Sequence, residues 1–142
     1  MDEIPLDEYA SYGIIDVDGP ELLKPLFWMG TARKNLRVFP EEVRCVLGYG
    51  LYLAQMGGKH PDAKPLKGFR GSGVLEIVED HDGNTYRAVY TLKLEGAVYV
   101  LHAFQKKSKK GIATPKHDMD LVKERLKRAR KHYAAWKKQQ GG

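Results

Sequence analysis

The segment His102-Ala103-Phe104-Gln105-Lys106-Lys107-Ser108-Lys109-Lys110 follows a strongly apolar run, Ala97–Leu101, and ends in four lysines within five residues. A strand that delivers clustered ammonium groups to its own end implies a fixed site for phosphate, which points to nucleic acid. Three further groups of basic residues precede it. Lys64, Lys67 and Arg70 are interleaved with Gly68 and Gly71, which let a backbone come close to a phosphate. Arg87 sits among apolar residues, an expensive place for a guanidinium unless it faces an anion or a carboxylate. His102 is expected on the strand face shared with Val100 and Phe104.

These parts suit cleavage of RNA without a metal. That reaction needs a base for the 2′-hydroxyl proton, an acid for the leaving 5′-oxygen, and cations around the pentacoordinate phosphate. Clustered lysines lower one another's pKa, which makes one of them usable as a base. Arg87 offers a bidentate fork. For His102 two readings stay open: a hydrogen-bonded strand histidine, the simpler one, and a residue that contacts RNA. No metal or other cofactor is expected. Glu76, Glu79, Asp80 and Asp82 make no D-x-D pattern, and the histidines lack zinc-ligand spacing. Phosphate-binding loops and nucleophile-elbow patterns are missing too.

The net charge of +6 hides an asymmetry. Residues 1–23 hold seven acids and no Lys or Arg; the remainder holds 24 basic and 11 acidic residues, a balance of +13. Such a domain steers toward polyanions. The acidic arm reads either as a solvated tail or as a segment folded over the basic surface. The lone Cys45 has no partner in the chain, which fits a reducing cytoplasm and a small buried hydrophobe. The sequence shows neither a signal peptide nor an apolar run long enough for a membrane, so a cytoplasmic location is expected.

One α+β domain over residues 24–142 must position the basic groups. Leu26–Met29 reads as a strand closed by Gly30, and Thr31 opens a short helix ending near Phe39. Pro40 fits the first turn of a second helix, whose apolar positions Val43, Val46, Leu47, Leu51 and Ala54 recur at helical spacing. Asp82-Gly83 and Glu95-Gly96 turn a strand over Val74–Val78 into Tyr86–Leu94 and then into 97–105, an antiparallel meander. One of its faces packs on helices; the other, carrying Arg87, is left for solvent or ligand. Thr114-Pro115 starts a last helix. Met119, Val122, Leu126, Ala129, Tyr133 and Trp136 form its apolar stripe, and Arg125 is expected among the charged residues of its other faces. Tyr86, Tyr90 and Tyr99 read as core.

Taken together, Phe39-Pro40, Lys64-Pro65-Leu66-Lys67-Gly68-Phe69, Asp82–Arg87, Tyr99–Ser108 and Thr114-Pro115 resemble the RelE/ParE superfamily of bacterial toxins, most closely its phage-derived, HigB-like branch. The resemblance covers Trp28 to about Tyr133. It implies a RelE-like fold, an antiparallel meander packed against two N-terminal helices and a C-terminal basic helix, with a basic concave face. It implies an endoribonuclease that cuts mRNA on the ribosome and is neutralised by a helix-turn-helix antitoxin. By position, it makes Lys67, Arg87 and Lys106 the catalytic candidates and Lys64, Arg70, His102, Lys107, Lys109 and Lys110 RNA contacts. Several ribonuclease relatives carry a C-terminal tyrosine or histidine-tyrosine pair in the site. Here a long basic helix follows Ser108 instead, which leaves acid and base unassigned.

Two function classes follow. The first is the mRNA endonuclease. The second is a non-enzymatic binder of the same fold, such as a poison of DNA gyrase or a phage-encoded inhibitor of a host protein. The antitoxin segment expected for either is acidic and folds on binding, in the groove between the last helix and the meander. Residues 1–23 are expected to compete weakly for that surface.

Overall fold

Asp82 and Gly83 close the hairpin that organises the sheet. Their φ angles of +49° and +81° give the two-residue turn whose twist matches paired strands. In the computed structural model, which describes residues 23–69, 71–107 and 114–141, this turn joins β3 (Val74–His81) to β4 (Asn84–Thr91). The register runs from His81 opposite Asn84 to Val74 opposite Thr91. β4 pairs antiparallel with β5 (Val98–Lys107). On one edge the two-residue β2 (Lys64–Pro65) pairs antiparallel with β3; on the other, β1 (Leu26–Trp28) pairs parallel with β5. The order is β1-β5-β4-β3-β2. The sheet is therefore mixed rather than purely antiparallel. Short turns dictate only consecutive pairings, and β1 finds its partner about seventy residues downstream, beyond the reach of local signals.

Among the described residues, three helices complete the α+β arrangement: α1 (Ala32–Arg37), α2 (Glu41–Gln55) and α3 (Lys116–Gly141). Pro40 is the N-cap of α2, one position earlier than expected, and Glu41 and Glu42 occupy the first turn, where the helix dipole favours them. Gly50 lets α2 lie directly on the sheet, since a Cβ there would run into Ile77.

Both faces of the sheet are covered. Leu26, Trp28, Ile77, Tyr86, Ala88, Tyr90, Val98, Val100 and Ala103 pack with α1 and α2 on one side. Phe27, Val74, Val89, Tyr99, Leu101 and Phe104 pack on the other with Val122, Leu126 and Ala129 of α3. The expectation of an open face around Arg87 is thus corrected. The apolar stripe of α3 needs a partner surface, and the sheet's second face supplies it. Tyr86, Tyr90 and Tyr99 are core residues, and burial raises the Tyr90 hydroxyl to about 12.

A register shift opposite Val89/Tyr90 corrects a second expectation. Val89 faces His102 while Tyr90 faces Val100, so β5 holds an extra residue at Leu101. Val100 therefore points to α1 and α2, whereas Leu101 and His102 both point to α3. Residues 1–22 lie outside the described residues, as do Arg70, Lys109 and Lys110 and the side chain of Lys107. The expected roles of the acidic arm and of those four basic residues fall there.

Candidate functional site

Residues paired across a sheet share a face, so the register assembles the site on the side covered by α3. One rung holds Lys64, Glu76, Val89 and His102; the next holds Val78, Arg87 and Phe104; a third holds Asp80, Thr85 and Lys106. Lys64 and Lys106 thus stand one rung to either side of Arg87. Lys67 is exposed in the turn after β2, whose neighbours Leu66 and Phe69 are buried in the core on the α3 side. Thr114, at the start of α3, lies with its Oγ1 3.5 Å from Arg87 Nη1.

Arg87 is 9% exposed, and its Nη1 donates to Glu76 Oε1 at 3.0 Å. The guanidinium in an apolar strand thus faces a carboxylate. Next to it, Lys106 has its proton affinity lowered, first by desolvation and then by the positive charge of Arg87. A lysine that releases its proton more readily beside a guanidinium has the attributes of a general base at a phosphate. Thr85 Oγ1 donates to Asp80 Oδ1 at 3.1 Å and ties down the third rung.

His102 belongs to a separate buried network. Arg125 Nη1 donates to the Leu101 carbonyl at 3.1 Å and lies 3.0 Å from His102 Nδ1, while Arg125 Nη2 donates to Thr31 Oγ1 at 3.3 Å. A guanidinium can only donate, so Nδ1 must accept. Nε2 then carries the proton and donates to Asp118 Oδ1 at 2.7 Å. Desolvation lowers the His102 pKa, which favours this neutral form. Of the two readings held open for His102, the geometry matches the hydrogen-bonded strand histidine: the ring is 3% exposed, engaged at both nitrogens, and stacked on Phe104 at 4.8 Å. Arg125, expected on a solvated face, is 5% exposed. It lies over Gly30, where φ is +54° and a Cβ would come within 2.6 Å of its Nε.

The structure thus brings Lys64, Arg87 and Lys106 together and sets Lys67 on the neighbouring turn. Sequence reasoning missed Glu76, Thr114, Asp118 and Arg125. The two-residue turn was the available signal for Glu76, because it fixes position 76 opposite 89, diagonal to Arg87. Arg125 offered only its spacing of three from Val122, which places it beside the apolar stripe. Among the described residues no group of three or more His, Cys, Asp or Glu could hold a metal, and no helix is long and apolar enough to cross a membrane.

Fold and site together define a small α+β protein with a cationic cluster at one end of a covered sheet face. The profile of the family described as "Phage derived protein Gp49-like (DUF891)" matches residues 34–127, a span that takes in Lys64, Lys67, Arg87, Lys106 and Arg125. The chain belongs to this phage-derived, RelE/ParE-like toxin family. No curated protein and no solved structure matches it.

Proposed function

We propose that the protein is the toxin of a type II toxin–antitoxin system, of the HigB-like branch, and a metal-independent endoribonuclease that cuts mRNA on the ribosome in the cytoplasm. The observation that carries this reading is the placement of Lys106 beside Arg87, with its proton affinity lowered. In the proposed reaction neutral Lys106 takes the 2′-hydroxyl proton as the 2′-oxygen attacks phosphorus. The bond to the 5′-oxygen breaks, a 2′,3′-cyclic phosphate forms, and a protonated lysine, for which Lys67 is the candidate, returns a proton to the leaving oxygen. Arg87 binds the phosphoryl oxygens in exchange for part of its bond to Glu76, and Lys64 holds a flanking phosphate. His102 positions Phe104 and the start of α3 and does not touch RNA. A helix-turn-helix antitoxin neutralises the toxin.

Induced expression should arrest bacterial growth, and primer extension on cellular mRNA should show new cuts near codons. Arg87→Ala should relieve both while the purified variant keeps its near-UV circular dichroism. A folded Arg87→Ala variant as toxic as the wild type overturns the assigned site.

One observation favours a second reading. Glu76 already neutralises Arg87 inside the fold, as it would in a non-enzymatic binder such as a gyrase poison or an inhibitor of a host protein. Intact messages together with a DNA-damage response after induction would decide for it.

A further inference from the structure

The chain carries no charged residue between Arg44 and Lys59, a stretch that takes in most of α2 and the turn after it. A surface helix needs one apolar stripe; a helix that is apolar all round is normally covered all round. The fold covers α2 on one side, where Val43, Leu47, Leu51 and Ala54 are buried and Gly50 lies on Ile77. Its other side carries Cys45, Tyr49, Leu53 and Met56, which follow at steps of four, four and three and so share a face. Cys45 and Leu53 are half-buried. Tyr49 at 37% and Met56 at 58% are two of the three large hydrophobics exposed among the described residues. An edge-on contact with His60, 5.9 Å between ring centroids, holds the Tyr49 ring in place at the surface. On α3 the outward positions are filled instead by exposed cations such as Lys123, Lys127 and Lys131.

Charge returns at the two ends of this apolar face, with opposite signs. Glu41 and Glu42 are exposed in the first turn of α2, and Lys59 is exposed just past Gly57-Gly58. Glu42 lies 3.6 Å from His81, yet its side chain stays 84% exposed and open to a second cation. A surface that fits must be apolar in the middle, basic where α2 begins and acidic where it ends. A second copy of α2 laid antiparallel to the first has that order of groups. A parallel copy would set acid against acid and lysine against lysine, which disfavours it.

We propose that this face of α2 packs antiparallel on the same face of a second copy of the chain, about a two-fold axis that passes close to Tyr49. Tyr49 then lies against the partner's Tyr49, and Cys45 faces the partner's Leu53 and Met56. At both ends Glu41 and Glu42 stand beside the partner's Lys59. The contact is self-complementary and closes at two copies. One helical face from each copy is at the low end of specific interface sizes, so the dimer is reversible rather than permanent. Because α2 and α3 lie on opposite faces of the sheet, the cluster around Arg87 stays open in both copies. The dimer is therefore a particle with two outward sites, whichever activity those sites have.

Sedimentation equilibrium of the full chain, from about 1 µM to about 1 mM, tests it. The wild type should pass from monomer to dimer within that range. Tyr49→Lys should raise the dissociation constant at least about tenfold, since it sets two ammonium groups together at the axis. K59E should weaken association by about fivefold, and E41K/E42K should do the same. The combined variant E41K/E42K/K59E restores opposite charges at both ends and should recover the wild-type constant. Near-UV circular dichroism checks that each variant is folded. A wild type that stays monomeric at the highest concentration overturns the proposal, whether residues 1–22 or a different protein covers the face. A dimer that survives Tyr49→Lys overturns the surface. Failure of the combined variant to recover association while folded overturns the antiparallel arrangement.

Discussion

Arg87 and Arg125 are both buried on the α3 side of the sheet, yet they are satisfied in different ways. Arg125 donates to a carbonyl, a neutral imidazole and a hydroxyl, drawn from β5 and from the residue before α1. Arg87 donates to a carboxylate on the adjacent strand and lies near Thr114. The first arrangement keeps the positive charge and uses it to bind three elements to one another. The second sets the charge against a carboxylate, Glu76, that a phosphate could displace. Burial alone therefore does not distinguish the two arginines; the chemistry of their partners does, and the proposed role of Arg87 rests on that difference.

The sharpest way to break this comparison is to remove Arg125. Arg125→Ala leaves His102 Nδ1, Leu101 O and Thr31 Oγ1 without their donor and opens space over Gly30. A loss of about 3–4 kcal/mol is expected in urea unfolding, from several charge-assisted hydrogen bonds lost at once. Gly30→Ala should approach the same result from the other side, because its Cβ would displace the guanidinium and its φ of +54° disfavours any side chain. A cost under about 1 kcal/mol for Arg125→Ala would remove the idea that this residue binds the layers together.

At Arg87 the expected effects are smaller in stability and larger in function. Glu76→Gln keeps a neutral acceptor for the guanidinium and should cost about 1–2 kcal/mol. It should also tighten binding of a short RNA, because phosphate no longer competes with a carboxylate. Fluorescence anisotropy at constant salt measures this. Weaker binding in Glu76→Gln would show that Glu76 orients Arg87 rather than masks it.

These two arginines also show what the sequence made legible. The strands β3, β4 and β5 were readable because a two-residue turn and clean alternation set their pairing locally. The stripe of α3 was readable from its period. Arg87 announced itself as a charge in an apolar strand. Arg125 did not, because a basic residue in a helix otherwise rich in Lys and Arg carries no distinguishing local signal. Its burial depends on a bulge at Leu101 that turns His102 toward α3, and on the parallel pairing of β1, which brings Thr31 close. Both are long-range events, and neither leaves a mark within a window of a dozen residues. The site was legible as a set of cations; the carboxylate and the helix that complete it were not.

The neutral imidazole that accepts from Arg125 makes the comparison depend on pH. His102 has a folded pKa below its unfolded value, mainly through desolvation. Between the two values the unfolded state binds more protons, so stability falls as pH drops below about 6.5 and levels off beneath the folded pKa. His132, lowered by desolvation, adds a slope of the same sign, whereas Glu79, raised by burial, opposes it at lower pH. His102→Gln should lower stability at pH 7 and flatten the decline between pH 6.5 and 5. An unchanged slope would show that Arg125 tolerates a protonated partner and that the lock is not electrostatic.

The smallest expected effect separates two carboxylates in the first turns of α3. Asp118 accepts from buried His102 at 2.7 Å, while Asp120 is exposed and accepts from Lys116 at 2.9 Å across one helical turn. The Asp120 pKa is lowered, first by that hydrogen bond, but solvent screens an exposed pair of this kind. Asp120→Asn should leave the thermal midpoint unchanged at physiological salt. Asp118→Asn should lower it by several degrees, because Nε2–H of the buried His102 loses a charged acceptor. The two substitutions are chemically identical and two residues apart on one helix. If they move the midpoint equally, it is the helix dipole and not the His102–Arg125 network that values a negative charge at the start of α3, and the distinction between the two arginines loses its second pillar.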